Sequence, residues 1–174
     1  MAHSIELIFD EVTNTIIGEQ WRKLADAGLP SQGSIRSTSN RPHVTLIAAD
    51  SIDATADVEL SAIRGVAGMT INIGALLLFW GRRGTAARLV VPSDHLLDIH
   101  AQVFDATCPH IGGRPLAHVS PGSWTPHITL ARRLVEGHLG HLMRALSEGP
   151  EMFTAQVAGL RRWNGDTREE FHLV

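Results

Sequence analysis

Arg41-Pro42-His43-Val44-Thr45-Leu46 and Thr125-Pro126-His127-Ile128-Thr129-Leu130 are nearly one stretch written twice. Each reads Pro-His, a β-branched residue, then Thr-Leu, inside an apolar run with the character of a strand. Side chains alternate between faces along a strand, so His43 and Thr45 share one face while Val44 and Leu46 take the other. His127 with Thr129, against Ile128 with Leu130, repeats the arrangement. Each segment turns an imidazole and a hydroxyl to one surface and its aliphatic side chains to the core. The two segments lie about half the chain apart. A fold that brings them together sets two histidines and two threonines around a common cleft.

Working outward, Ser4 to Phe9 reads as a first strand, and Asp10 as the N-cap of a helix running to about Ala27, stopped by Gly28-Leu29-Pro30. Trp21 on that helix reads as a packing residue. Ser31 to Asn40 is a loop leading to the first motif strand, about His43 to Ala48. Ala54 to Val66 has helical spacing. Met69–Trp80 and Thr85–Val91 form a hairpin across Gly81-Arg82-Arg83-Gly84. A helix follows from about His95 to Thr107, opened by Pro92-Ser93-Asp94. Cys108 to Gly122 reads as a long loop before the second motif strand, about His127 to Leu134. A helix from Glu136 to Ser147 ends at Gly149-Pro150, and Phe153–Trp163 pairs with Arg168–Leu173 across Asn164-Gly165-Asp166. Each motif strand is followed by a helix and then a hairpin. The order implies an α+β fold with antiparallel pairing, an imperfect duplication without a linker, and so one compact two-lobed domain over residues 1–174.

Composition narrows the function. With 174 residues, 44% hydrophobic and 19% charged, the chain is long enough for one substantial core and is not of disordered composition. A formal charge of −3 argues against broad, sequence-independent nucleic-acid binding, which needs a basic face, but leaves room for a local phosphate pocket. The single cysteine, Cys108, excludes an intrachain disulfide framework and reads as a small buried apolar residue. The longest apolar run, Ala75 to Trp80, is far too short to cross a bilayer, and the first residues lack a signal-peptide pattern. These features read as a cytoplasmic protein with no membrane partner, working as a monomer.

A pair of histidines, with unperturbed pKa values of about 6.5, can hold one neutral and one protonated ring near neutral pH. In-line displacement at phosphorus needs that division: one ring takes a proton from the attacking oxygen, the other gives one to the leaving oxygen. Threonine hydroxyls beside them can donate to non-bridging phosphate oxygens. The scheme requires no metal and no cofactor. His138 and His141 lie three apart on the expected helix, but two histidines without supporting carboxylates make no metal site. No Walker-type loop and no Gly-x-Gly-x-x-Gly is present.

These motifs resemble those of the two-histidine (2H) phosphoesterase superfamily, and within it the 2′-5′ RNA ligase or RNA 2′,3′-cyclic phosphodiesterase branch. The likeness rests on Arg41 to Leu46 and Thr125 to Arg132, and the order around Pro92 to His100 agrees. It implies two pseudo-symmetric lobes, each a small antiparallel sheet with helices, around a central cleft. It also implies metal-free opening of 2′,3′-cyclic phosphates on RNA ends or small nucleotides, or the related chemistry of 2′-5′ linkages. His43 and His127 would then be the acid and base in an order left open, and Thr45 and Thr129 would hold the phosphate.

Two further site residues are expected. The branch places an arginine five positions after the second histidine, here Arg132, whereas strict alternation from His127 would put Arg133 on the cleft face. A bulge would reconcile the two. With no tyrosine in the chain, Trp124 is the best-placed stacking surface for a base, and a packing role for it stands beside that. Trp80 and Trp163 read as core or lobe-edge residues. The pairs Arg82-Arg83, Arg132-Arg133 and Arg161-Arg162 are candidates for a phosphate entrance. Two other readings remain: the same chemistry on another small cyclic or 2′-5′-linked nucleotide, and an RNA- or nucleotide-binding module without turnover.

Overall fold

The computed structural model describes residues 2–174. Its strands are β1 (His3–Phe9), β2 (His43–Ile52), β3 (Thr70–Phe79), β4 (Gly84–Val90), β5 (Ile111–Pro115), β6 (His127–Leu134), β7 (Phe153–Asn164) and β8 (Glu169–His172). The helices are α1 (Glu11–Asp26), α2 (Ala56–Ser61), α3 (Asp94–Thr107) and α4 (Leu139–Leu146). All pairings are antiparallel, in the order β5-β2-β1-β7-β3-β4-β6, with β8 also on β7. The α+β fold with antiparallel sheet is therefore present.

The long strand β7 makes the two lobes one sheet. Its first residues, Phe153 to Gln156, pair with β3, and Val157 to Trp163 pair with β1. One lobe holds β5, β2, β1 and β8; the other holds β3, β4 and β6. The helices cross over: α1, which follows β1, packs against β6 and α4, while α3 packs against β2. Each lobe thus draws elements from both halves of the sequence.

The boundaries have local causes. Asp10 accepts a hydrogen bond from the Thr13 N–H at 2.9 Å and starts α1; Ser93 accepts from Leu96 N–H and starts α3. Among the motif residues, Val44, Leu46, Ile128 and Leu130 are fully buried. Each such side chain contributes about 1.5–3 kcal/mol on burial, which fixes the register of both motif strands. The β7–β8 turn is tied by the Asn164 side chain, which accepts from the Asp166 and Thr167 N–H groups.

Three expectations are corrected. The stretch from Cys108 is not all loop: Ile111–Pro115 is an edge strand on β2. Gly112 sits against the Ser51 hydroxyl, where a Cβ would collide, and Gly113 has φ +90°. The glycines that read as turn signals are there for close strand approach. The helix expected over 54–66 is only Ala56–Ser61. The one expected from Glu136 opens with a 3-10 turn before α4 begins at Leu139.

Candidate active site

The two motif strands face each other across a cleft of about 890 Å³, lined among others by His43, Thr45, His127, Thr129 and Arg132. All four motif side chains are therefore brought together. Neither threonine hydroxyl makes a hydrogen bond within the described residues, so both are available to a ligand.

The two imidazoles are held alike. Nδ1 of His43 lies 2.8 Å from the Arg41 carbonyl and Nδ1 of His127 lies 2.7 Å from the Thr125 carbonyl. A carbonyl can only accept, so each Nδ1 carries the hydrogen and each Nε2 is the nitrogen that gains or loses a proton. The strands are braced alike as well. Trp124 Nε1–H donates to the Thr45 carbonyl at 3.0 Å, and Trp21 Nε1–H donates to the Thr129 carbonyl at 3.0 Å. Trp21 reaches β6 from α1, which packs on that strand, and Trp124 reaches β2 from the segment leading into β6. Trp21, read as packing, is thus also a brace.

The surroundings of the two rings differ. His127 stands 4.7 Å, centre to centre, from the Phe79 ring at a tilt of 57°. Burial pushes its pKa down; the Thr125 carbonyl opposes that, while the Arg132 and His43 charges add to it. His43 instead has the buried Glu6 carboxylate 3.7 Å from its Nε2. Burial alone would raise the Glu6 carboxyl, but the His43 and Arg161 charges and the Ser4 and Arg161 hydrogen bonds together hold it below its usual value.

A bulge decides between the two arginines. Ala87 lies opposite Thr129, yet Ala86 lies opposite Ala131, so Leu130 is an extra residue in β6 and the faces exchange after it. A second irregularity follows, with Arg133 at φ +62° and Leu134 opposite Gly84. Arg132 accordingly lines the cleft and Arg133 does not. Of the other pairs, Arg82 and Arg83 sit in the hairpin turn away from the lining. Arg162 pairs with Asp57 and covers Phe171 at 4.3 Å; Arg161 lines the cleft but is engaged by acids.

Trp124 lines the cleft with one ring face covered by His100, stacked at 3.9 Å and nearly parallel. His100 is buried, and its Nε2 reaches both the Leu46 and Val119 carbonyls. Trp163 lines the cleft too, whereas Trp80 is half-exposed and lies over Gly84. Three cleft features lay outside the sequence reading, Glu6, Phe79 and the His100–Trp124 stack, while Arg161, read as part of a phosphate-entrance pair, lines the cleft tied to Glu6 and Glu170. Glu6 alone left a trace, as an acid alternating with the apolar residues of β1.

Cys108 lies outside the cleft lining, with its thiol pushed up by burial and by Asp105. His138 Nδ1 accepts from the Val135 N–H and closes the 3-10 turn before α4. Among the described residues no three His, Cys, Asp or Glu side chains gather as a metal site requires.

A fold with two symmetry-related imidazoles and two free threonine hydroxyls around one cleft defines the two-histidine class. The family model described as "2′-5′ RNA ligase superfamily" matches residues 13–169, and the chain belongs to that superfamily. Among solved structures it is similar to Usb1 of Kluyveromyces marxianus, with a TM-score of 0.54 and 12% identity, covering 99% of this chain and 97% of that one. The structure of the same Usb1 with uridine monophosphate is similar at a TM-score of 0.51 and 11% identity, with the same coverage. At such identity the likeness is one of fold. No curated protein matches. No helix among the described residues is long and apolar enough to cross a membrane.

Proposed function

We propose that this protein is a metal-free phosphodiesterase that opens 2′,3′-cyclic phosphates on RNA ends or small nucleotides. The observation that carries the reading is the matched pair of imidazoles, each locked through Nδ1 and each presenting Nε2 to one cleft. His127, whose neutral form is favoured by burial, takes the proton of the attacking water; His43 gives one to the departing ribose oxygen. Thr45 and Thr129 donate to the non-bridging oxygens, and Arg132 neutralises the phosphate charge. The uridine monophosphate in one Usb1 structure supports a nucleotide as the occupant.

The same atoms would serve another cyclic or 2′-5′-linked nucleotide. The substrate panel that tests the proposal therefore compares the four nucleoside 2′,3′-cyclic monophosphates, a short RNA ending in a cyclic phosphate, that RNA ending in a 3′-hydroxyl, and a 2′-5′ oligoadenylate. Turnover confined to the cyclic phosphates is expected. Cleavage of the oligoadenylate alone would move the assignment to 2′-5′ linkages. Binding of the panel with no turnover would leave a nucleotide-binding module.

A further inference from the structure

The two histidines are equivalent in their motifs but not in their neighbours, and one carboxylate stands beside His43. Glu6 is the only acidic residue lining the cleft among the described residues, and it is 4% exposed. In the sheet it lies directly between Thr45 of β2 and Arg161 of β7. Cross-strand partners share a face, so pairing register alone aims Glu6 at the cleft.

Its two oxygens are used differently. Oε2 accepts from Arg161 Nε at 2.8 Å and Nη2 at 2.7 Å. Oε1 accepts from the Ser4 hydroxyl at 2.6 Å and is the oxygen facing His43 Nε2. Arg161 continues to Glu170 on β8 and to the Ser39 carbonyl, and Glu170 holds Arg41 at 2.6 Å. The Arg41 carbonyl accepts from His43 Nδ1. Glu6, Arg161, Glu170, Arg41 and His43 thus close a ring of contacts. It holds His43 by a hydrogen bond at Nδ1 and sets one carboxylate oxygen 3.7 Å from Nε2.

We infer that Glu6 is a positioning residue whose carboxylate holds the Nε2 proton of His43, the ring that gives up a proton in the reaction proposed above. The inference rests on the phosphodiesterase reading for its catalytic consequence. The attacking water loses a proton to His127 as its oxygen bonds to phosphorus. The bond to the departing ribose oxygen breaks as that oxygen takes the His43 proton. Both rings then exchange protons with solvent and the cycle restarts. The other charged or titratable groups that line the cleft with His43 are Arg161 on β7, His127 and Arg132 on β6, and His118; Arg41, before β2, and Glu170, on β8, join it through the ring of contacts. Glu170 is engaged by two of those arginines, so Glu6 is the carboxylate that acts on the ring.

The test is Glu6→Gln, which keeps shape and removes charge. In the ligand-free protein, the His43 ring titration followed by NMR is expected to move to lower pH by about one unit, with His127 little changed. In turnover of a cyclic nucleotide, the high-pH limb of the rate profile is expected to move the same way. That lowers kcat about tenfold above neutrality with KM nearly unchanged. Should Glu6→Gln fail to fold, Glu6→Asp withdraws the carboxylate by one methylene and is expected to give a smaller shift in the same direction. A folded variant whose His43 titrates as in the wild type overturns the inference. Absent turnover in the wild type would count against the phosphodiesterase reading alone, because the NMR titration decides the Glu6–His43 coupling without it.

Discussion

In the proposed reaction His43 and His127 share the proton transfers from unlike settings, and the side chains beside them are tested one at a time. Thr45→Val and Thr129→Val keep shape and remove one donor each; a fall in kcat of about 10²–10³ is expected, as for loss of an oxyanion donor. The check is steady-state kinetics on a cyclic nucleotide, and unchanged kcat would remove the threonines from the phosphate site. Arg132→Ala is expected to raise KM about tenfold or more, with Arg133→Ala near wild type; the reverse ranking would place the bulge wrongly. Arg133 itself is a backbone matter. At φ +62° a side chain is disfavoured, so Arg133→Gly is expected to hold or slightly raise the melting temperature. Arg133→Val should cost about 1–2 kcal/mol in a denaturation titration.

At the level of elements, two indoles anchor the motif strands. Trp21→Phe and Trp124→Phe each leave a strand carbonyl without its donor. A loss of about 1–3 kcal/mol is expected in urea unfolding, with kcat falling because the threonine at that carbonyl shifts. Full activity with wild-type stability would show that the braces hold nothing in place. These braces mark where the sequence stops being readable. The strands His43 and His127 begin, the Asp10 and Ser93 caps and the Asn164 turn are local patterns, and each stands where periodicity put it. Glu6 and Phe79 entered the cleft through strand order and pairing register, which are set by contacts far apart in the chain. The β5 strand was hidden for another reason: Gly112 and Gly113 carry a turn signature, yet they serve close packing on β2. Arg132 was legible only by family likeness, because the Leu130 bulge reverses the alternation that would otherwise have favoured Arg133.

Taken whole, the molecule is two lobes stitched by β7 and by helices exchanged between them, so opening the cleft means bending a single sheet. Stability and site are coupled through two histidines, the buried His100 and the partly buried His127. Burial lowers the pKa of both His100 and His127. As pH falls through the unfolded value of about 6.5, the unfolded chain binds protons that the folded one refuses, so stability is full above that value and declines below it. The melting temperature is expected to be lower at pH 5.5 than at pH 7.5. A flat or rising profile would mean that these rings titrate as exposed groups.

The most direct test of the two-imidazole account is turnover of a nucleoside 2′,3′-cyclic monophosphate in EDTA by the wild type, His43→Ala and His127→Ala. The account expects undiminished wild-type turnover and a loss of about 10²–10⁴-fold in each variant, the range for removing one general acid or base. Wild-type activity abolished by EDTA, or a folded variant that keeps its rate, would contradict it.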